Sequence, residues 1–206
     1  MRDLAEDGVA GVRVVNTLHG LGAIHAADCA AVIWARPDCT ALRDWLAALP
    51  AEQLPQAREI LRPDAIREVL VRVCAGVPAG PERALLIESI AALAARFAEI
   101  MRAPLLRLRL EAVTGNACRR FHIDVVTARL VCTYRGRGTE YGLAARGAEP
   151  AVIAAVPTGQ PIVLRGTRWP TTPPSLLRHR SPPIEGTGAT RLLLVLDPVD
   201  DPEEEA

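Results

Sequence analysis

The sequence is poor in several features that would narrow its function. It contains no lysine, and aromatic residues make up only 3% of its 206 positions. None of its five cysteines forms a C-x-x-C pair, which argues against a zinc ribbon. An odd number of cysteines without short paired spacings is also not the pattern of a disulfide framework. No G-x-S-x-G motif is present, which disfavours a serine hydrolase.

Charge and hydropathy exclude further classes of protein. The 24 basic residues are balanced by 24 acidic ones, so neither nucleic-acid binding nor a polybasic membrane anchor is indicated. No apolar run approaches the roughly 20 residues of a membrane span. Residues 1–9 lack the basic and apolar regions of a signal peptide. We therefore expect a cytoplasmic protein with reduced thiols and no membrane partner.

The hydrophobic pattern divides the chain into two parts. Residues 1–103 are mainly helical in pattern and are expected to pack on the second part, giving one compact domain. Residues 104–197 consist of short segments with two-residue periodicity and many turn signals, which predicts a sandwich or barrel. Residues 198–206 are acidic, contain proline and are predicted to form a disordered tail.

Individual elements can be predicted within both parts. Apolar residues recur at helical spacing in three segments, at 42–49, 63–74 and 86–100. Asp38 or Thr40 is expected to cap the first of these helices. Strands are predicted at 30–34, 105–110, 121–134, 151–156, 162–164 and 191–196.

Two of the four histidines lie in the strand-rich part, and each has unusual neighbours. His122 and Asp124 form an H-x-D pair, and residues i and i+2 of a strand point to the same face. His179 is expected to supply a third ligand where the strands fold back on one another. Two histidines and one carboxylate form the facial triad that leaves positions open on Fe(II) for a co-substrate and dioxygen.

Arg191 opens the last predicted strand, and a guanidinium there can hold a carboxylate through two hydrogen bonds. In an oxygenase it would bind the far carboxylate of 2-oxoglutarate, with Tyr134 or Thr133 assisting from a neighbouring strand. An H-x-D pair alone is a weak signal, because a buried histidine bonded to a backbone carbonyl beside an aspartate that caps a turn has the same sequence. The ordered set with His179 and Arg191 is more specific.

The order of these residues resembles that of the Fe(II)/2-oxoglutarate dioxygenases of the prolyl-hydroxylase-like type. Residues 122–134 and 179–192 carry the likeness, which covers roughly residues 118–197. It implies an α+β fold in which an N-terminal helical layer packs on a double-stranded β-helix (jelly-roll, cupin-like) barrel. It also implies a hydroxylase with Fe(II) and 2-oxoglutarate as cofactors. The primary substrate stays unknown.

The whole chain more closely resembles an uncharacterised bacterial family, domain of unknown function 1826. The likeness is carried by residues 118–142, 159–169 and 179–197. The family label implies no established activity. The resemblance implies a weak association with zinc-homeostasis genes.

Cys118 defines the main alternative to an oxygenase. With His122, Asp124 and His179 it would complete a closed four-coordinate zinc site, as in a non-catalytic zinc-binding protein linked to zinc homeostasis. We favour for Cys118, and also for Cys132, the role of a small buried apolar residue. A third alternative is a barrel that has lost activity and binds another protein. Apolar barrel edges are consistent with a homodimer.

Three further features have both a functional and a purely structural interpretation. Glu140 is either a pocket acid, an extra ligand or, as we favour, a solvated loop carboxylate. Trp169 either lines the mouth of the site or covers the rim of the barrel. Arg168, Arg178 and Arg180 either guide an anionic substrate or form a solvated rim.

Overall fold

The computed structural model describes residues 9–170 and 175–200. Helices, strands and short 3₁₀ segments alternate along it. The helices are α1 (Thr40–Ala48), α2 (Ile66–Val73) and α3 (Pro81–Met101). The strands are β1 (Val12–Val15), β2 (Ala31–Trp34), β3 (Ala57–Leu61), β4 (Leu105–Val113), β5 (Ala128–Arg135), β6 (Glu140–Leu143), β7 (Ala154–Ala155), β8 (Pro161–Arg165), β9 (Leu177–Arg180) and β10 (Arg191–Val199).

The long helix α3 follows directly from its sequence. Pro81 stands at its first position, where the missing N–H would have no partner inside the helix. Its apolar stripe, which includes Leu86, Ile90 and Phe97, is fully buried. The helix ends at Arg102, which adopts the left-handed conformation with a φ of 52°. The predicted helix at 86–100 is thus confirmed and extends further at its N-terminus.

Helix α1 is also confirmed, but its predicted cap is wrong. The N-cap position is Cys39, and no side-chain hydrogen bond caps the helix. Asp38 forms an ion pair with Arg43 on the first turn of the helix instead. The carboxylate of Asp38 is therefore engaged by a guanidinium and not by the free amides of the helix.

Two sheets face each other. The larger sheet has seven strands in the order β1-β2-β8-β5-β10-β4-β3, and the smaller has three in the order β7-β6-β9. All pairings are antiparallel except that between β1 and β2. The predicted α+β class is confirmed. The two sheets are open and do not close into a barrel, because the edge strands of the larger sheet do not pair with the smaller sheet.

The N-terminal part of the chain contributes to the larger sheet as well as the helical layer. Strand β2 pairs with β8, and β3 pairs with β4. The strand predicted at 30–34 is confirmed, whereas β1 and β3 had no clear signal because most of their residues are only half-buried. The change of pattern near residue 103 is therefore not a break in the sheet.

Side chains of the larger sheet alternate between two apolar layers. Leu192, Leu194 and Leu196 of β10 pack in the cluster that contains the helices. Leu193 and Val195 pack in the cluster shared with the smaller sheet. By the same two-residue period, the charged residues at the two ends of β10 also face the space between the sheets.

Several predicted strand limits need correction. The segment predicted at 121–134 forms a regular strand only from Ala128, and that at 151–156 only at Ala154–Ala155. Residues 198 and 199 of the predicted tail continue β10. Residues 201–206 lie outside the described residues. No helix in the described ranges is both long enough and apolar enough to cross a membrane.

Candidate metal centre

His122 and His179 are joined through their backbones. The amide of each donates to the carbonyl of the other, with both N···O distances at 3.0 Å. This isolated antiparallel bridge lies on the free edge of β9, on the side opposite its partner β6. The two imidazole rings therefore lie side by side, with their centroids 4.6 Å apart.

Asp124 lies in an irregular segment between this bridge and β5, so the prediction that it shares a regular strand with His122 is wrong. Its backbone carbonyl accepts a hydrogen bond from the amide of Thr167 at 2.9 Å. A Cβ at Gly166 would lie 1.9 Å from the carbonyl oxygen of Val126. Glycine at this position thus allows the loop to approach closely and hold the segment away from a sheet ladder.

The ligand atoms of His122, Asp124 and His179 lie within 4.8 Å of one another. Nε2 of His179 is 3.0 Å from Oδ2 of Asp124, and Nε2 of His122 is 3.4 Å from Oδ1. Oδ2 of Asp124 is buried, and within the described residues it has no hydrogen-bond partner apart from the 3.0 Å contact with Nε2 of His179. A buried carboxylate oxygen is normally satisfied, so its environment fits a cation placed between the two imidazoles.

The surroundings of the two histidines set their protonation in opposite directions. Nδ1 of His122 lies 2.8 Å from the carbonyl oxygen of Arg120, which requires the proton on Nδ1 and makes Nε2 the atom that a metal can use. The hydrogen bond to Asp124 raises the pKa of His122, so a metal ion at Nε2 would replace a proton there. Burial lowers the pKa of His179, which favours its neutral form.

Arg129 controls the charge and orientation of Asp124. Its Nη1 bonds Oδ1 of Asp124, which leaves Oδ2 facing the histidines. Burial alone would raise the pKa of Asp124, but hydrogen bonds to His122 and His179 and the charge of Arg129 hold it well below its usual range. Asp124 is therefore an anion at neutral pH, as a metal ligand must be.

Asp197 in turn holds Arg129. Its carboxylate accepts from Nε and Nη2 of Arg129 at 2.6 and 2.8 Å, and from Nη2 of Arg109 at 3.2 Å. Only 1% of the side chain of Asp197 is exposed. Sequence reasoning missed the role of Asp197 and Arg109. The sequence did contain a signal. Asp197 is a charged residue in an apolar strand, and by the two-residue period its side chain lies on the same face as the buried Leu193 and Val195.

Arg191 is almost completely buried, at 1% exposure. Its Nε donates to the carbonyl of Arg137 at 2.7 Å, and Nη2 donates to Oγ1 of Thr133 at 3.2 Å. Nη1 is buried without a hydrogen-bond partner, and burial lowers the pKa of Arg191 to about 10. Within residues 9–170 and 175–200, no carboxylate forms an ion pair with it, contrary to the expectation for a barrel that has lost activity.

The structure brings Thr133 to this side of β5 and turns Tyr134 away. The hydroxyl of Tyr134 lies 2.7 Å from Oγ of Ser89 on helix α3. Neighbouring residues of a strand face opposite sides, so only one of the two can face Arg191. Cys132, on the same face as Tyr134, is buried as predicted.

Cys118 does not join the converging ligand atoms. It is an exposed free thiol, so the prediction that it is a buried apolar residue is wrong. Its carbonyl accepts a hydrogen bond from the amide of Ser181 at 2.9 Å, which places its backbone beside the segment after His179. The closed four-coordinate zinc site is therefore not favoured.

Glu140 and Trp169 also differ from simple loop residues. Glu140 is buried and binds Arg180 at 2.8 Å and Arg137 at 3.1 Å, so the favoured interpretation as a solvated carboxylate is wrong. Trp169 stacks under the guanidinium of Arg165, 4.5 Å from the ring centroid. These contacts give both residues structural roles.

The side chain of Arg178 donates hydrogen bonds to the carbonyls of residues 144 and 145.

Comparison with known proteins places the chain in a family. A model described as "Protein of unknown function (DUF1826)" matches residues 16–197. The chain belongs to the DUF1826 family. This confirms the resemblance of the whole sequence. No curated protein sequence matches the chain.

Solved structures show which fold this DUF1826 member has. A rice dioxygenase for auxin oxidation matches with a TM-score of 0.52 and 12% identity, covering 94% of this chain and 84% of that one. The dioxygenase for auxin oxidation 1 from Arabidopsis thaliana, in a binary complex with 2-oxoglutarate, matches with a TM-score of 0.50 and 10% identity, covering 94% of each chain. A prolyl-4-hydroxylase from Pseudomonas putida has a TM-score of 0.39 and 17% identity, covering 80% of this chain and 96% of that one. The two dioxygenases for auxin oxidation confirm the jelly-roll fold of 2-oxoglutarate oxygenases.

Proposed function

We propose that this DUF1826 protein is a mononuclear non-haem Fe(II)/2-oxoglutarate-dependent oxygenase. The observation that carries the proposal is the convergence of three ligand atoms, from His122, Asp124 and His179, at a buried carboxylate whose Oδ2 contacts Nε2 of His179. The set matches the facial triad of two histidines and one carboxylate. It stands in a chain with the fold of such oxygenases.

Fe(II) with bound 2-oxoglutarate supplies the activation of dioxygen for oxidation of a C–H bond, with succinate and carbon dioxide as co-products. The protein residues prepare for this chemistry. The hydrogen bond from Nδ1 of His122 to the carbonyl of Arg120 orients Nε2, and the hydrogen bond from Arg129 to Oδ1 of Asp124 orients Oδ2. About a third of the side chain of His122, 32%, is exposed, which leaves one side of the centre open to a substrate.

Arg191 is the proposed anchor for the far carboxylate of 2-oxoglutarate. Its contact residue Thr133 lies four positions after Arg129 on the same face of β5, so the two Cα atoms are about 13 Å apart. This distance is similar to the length of a 2-oxoglutarate molecule that contacts one side chain at each of its ends. The unpartnered Nη1 and the hydroxyl of Thr133 together supply donors for one carboxylate.

The decisive experiment is an anaerobic titration of tag-free protein with Fe(II) and then 2-oxoglutarate, followed by visible absorption. A metal-to-ligand charge-transfer band at one equivalent is expected for the wild type and for Asp28→Ala, which removes a surface carboxylate paired with Arg13. Asp124→Ala should show no band. A wild-type protein that binds iron without developing the band, or an Asp124→Ala variant that retains it, would overturn the proposal.

Elemental analysis of the same preparation gives an independent check. We expect iron, or a site that takes up one equivalent of Fe(II) after chelation. Stoichiometric zinc that is lost in Cys118→Ser would support the closed zinc site and contradict the oxygenase.

A further inference from the structure

A second buried polar cluster lies on the opposite face of the larger sheet, between β5 and the helical layer. Arg36, just after strand β2, is its centre. Its guanidinium bonds the carbonyl of Gly159, Oγ of Ser89 at 2.8 Å and Sγ of Cys132 at 3.6 Å. It also lies 5.6 Å from the ring centroid of Tyr134. We call Arg36, Ser89, Cys132 and Tyr134 the Arg36 cluster.

The positive charge of Arg36 is not neutralised within the Arg36 cluster. Burial raises the pKa of Cys132 to about 11 and also raises the pKa of Tyr134, so both groups are neutral at physiological pH. No carboxylate in the described part of the chain forms an ion pair with Arg36. The nearby Asp38 is paired with Arg43. A half-buried guanidinium without a counter-ion is unusual, because buried charges are normally paired.

The Arg36 cluster opens into a cavity of about 530 Å³. This volume lies within the range of small-molecule sites. Arg36, Ser89 and Tyr134 form its polar end, and Leu42, Leu85 and Pro157 contribute apolar walls. Helix α1 begins at the same cavity, where its N-cap residue, Cys39, makes no side-chain hydrogen bond to the helix. The positive end of the dipole of α1 therefore adds to the attraction that Arg36 exerts on an anion.

We propose that this cavity binds a small organic anion, whose carboxylate or phosphate meets Arg36 and whose apolar body packs against Leu42 and Leu85. The hydroxyls of Ser89 and Tyr134 add donors beside the guanidinium. The site requires neither a metal nor 2-oxoglutarate. The proposal of an anion site is therefore independent of the oxygenase proposal and is tested by separate measurements.

The cavity and the proposed 2-oxoglutarate anchor lie on opposite faces of β5. Gly159 accepts from Arg36 on the cavity side, and its amide donates to the carbonyl of Thr133 at 2.7 Å. The hydroxyl of Thr133 is bonded to Arg191 on the other face of β5. A ligand at Arg36 thus contacts the loop that is bonded to the residue beside Arg191.

The test uses fluorine NMR of three probes with the purified full chain: para-fluorobenzoate, para-fluorophenyl phosphate and the neutral para-fluorobenzamide. At least one of the two anions should bind, at least about tenfold more tightly than the amide, because its charge-assisted hydrogen bonds to Arg36 are lost in the neutral probe. Binding of the benzoate alone indicates a carboxylate ligand, and preference for the phosphate indicates a phosphate ester. Absence of binding by both anions, or equal binding by the amide, would overturn the proposal.

Two variants locate the site. Arg36→Gln should weaken anion binding at least about tenfold. Because Arg36 also contacts the fold, Leu85→Glu provides a second variant: Leu85 is 46% exposed at the cavity, and a carboxylate there repels the anion without opening the core. Val71→Glu makes the same change at a site outside the cavity that is 56% exposed. Anion binding that survives Leu85→Glu, or that is lost equally in Val71→Glu, would contradict the assignment.

Discussion

Asp197 holds one edge of the Arg129 guanidinium through both of its oxygens, with Oδ1 2.6 Å from Nε and Oδ2 2.8 Å from Nη2. Bidentate contacts of this kind fix a guanidinium in position as well as in charge. The remaining Nη1 is thereby directed at Oδ1 of Asp124. The orientation of the candidate ligand carboxylate is therefore determined by a residue at the far end of the last strand.

Arg129→Gln is expected to weaken binding of divalent metal about 10- to 100-fold, the usual cost of losing a partner of a ligand side chain. The measurement is competition between the protein and a chromophoric chelator for Co(II). Arg109→Gln is the matched control, because Arg109 also binds Asp197 but does not contact Asp124. If both variants lose affinity equally, Arg129 acts through general electrostatics and not by orienting Asp124.

Metal should stabilise the fold, because the three ligands converge only in the folded chain. At a free metal concentration about 100 times the Kd, the gain is about 2.7 kcal/mol, or roughly 5–10 °C in Tm for a chain of this size. We expect this shift for the wild type with Co(II) and its loss in His179→Gln. His19→Gln removes a histidine outside the ligand group and should keep the shift. An unchanged shift in His179→Gln would exclude His179 as a ligand.

The sequence predicted those elements whose information is local. Helix α3 carries its start signal and its apolar stripe within its own residues, and β10 carries a short, strongly apolar run. The contact between Arg129 and Asp197 was not predictable, because it depends on β10 lying beside β5, and these strands are far apart in sequence. Edge strands β1 and β3 were missed because they are only partly buried.

Residue types also predicted the grouping of His122, Asp124 and His179, but not the local conformation that produces it. A regular strand was expected through 121–127, where the segment instead bonds the loop at 166–168. The signal for this was Gly166, whose missing Cβ permits the approach. Such a contact between distant segments cannot be read from periodicity.

Arg191→Gln should raise the Kd for 2-oxoglutarate at least about thirtyfold, because truncating one partner of a buried charge pair costs about 2 kcal/mol or more. Fe(II) affinity should stay within about threefold, since Arg191 makes no contact with the ligand residues. The charge-transfer band provides the titration signal. Arg137→Gln removes an exposed arginine that binds Glu140 and is expected to leave the Kd unchanged. Normal 2-oxoglutarate affinity in Arg191→Gln would place the anchor elsewhere.

Thiol labelling of the native protein distinguishes an open metal site with three ligands from a closed zinc site in which Cys118 is the fourth ligand. Cys39 and Cys118 are exposed, whereas Cys29, Cys74 and Cys132 are buried, so two thiols should react rapidly and all five only in denaturant. Saturating Zn(II) should not slow the labelling of Cys118, and Cys118→Ser should keep wild-type metal affinity. Protection of Cys118 by Zn(II), compared with Cys39 in the same sample, would instead indicate a thiolate ligand.

Alkaline pH should destabilise the protein through Cys132. Burial raises the pKa of this thiol to about 11, whereas an unfolded cysteine titrates near 8.5. Between these values the folded state keeps a proton that the unfolded state loses, so this contribution to stability is present below about pH 8.5 and is lost as the pH rises towards 11. The free energy of unfolding from urea melts should fall by an amount on the order of 2 kcal/mol more between about pH 8 and pH 10.5 in the wild type than in Cys132→Ala. Cys39→Ala, which removes an exposed thiol, should retain the wild-type pH dependence. An identical fall in Cys132→Ala would assign the effect to the other buried groups whose pKa is raised, Tyr134 among them.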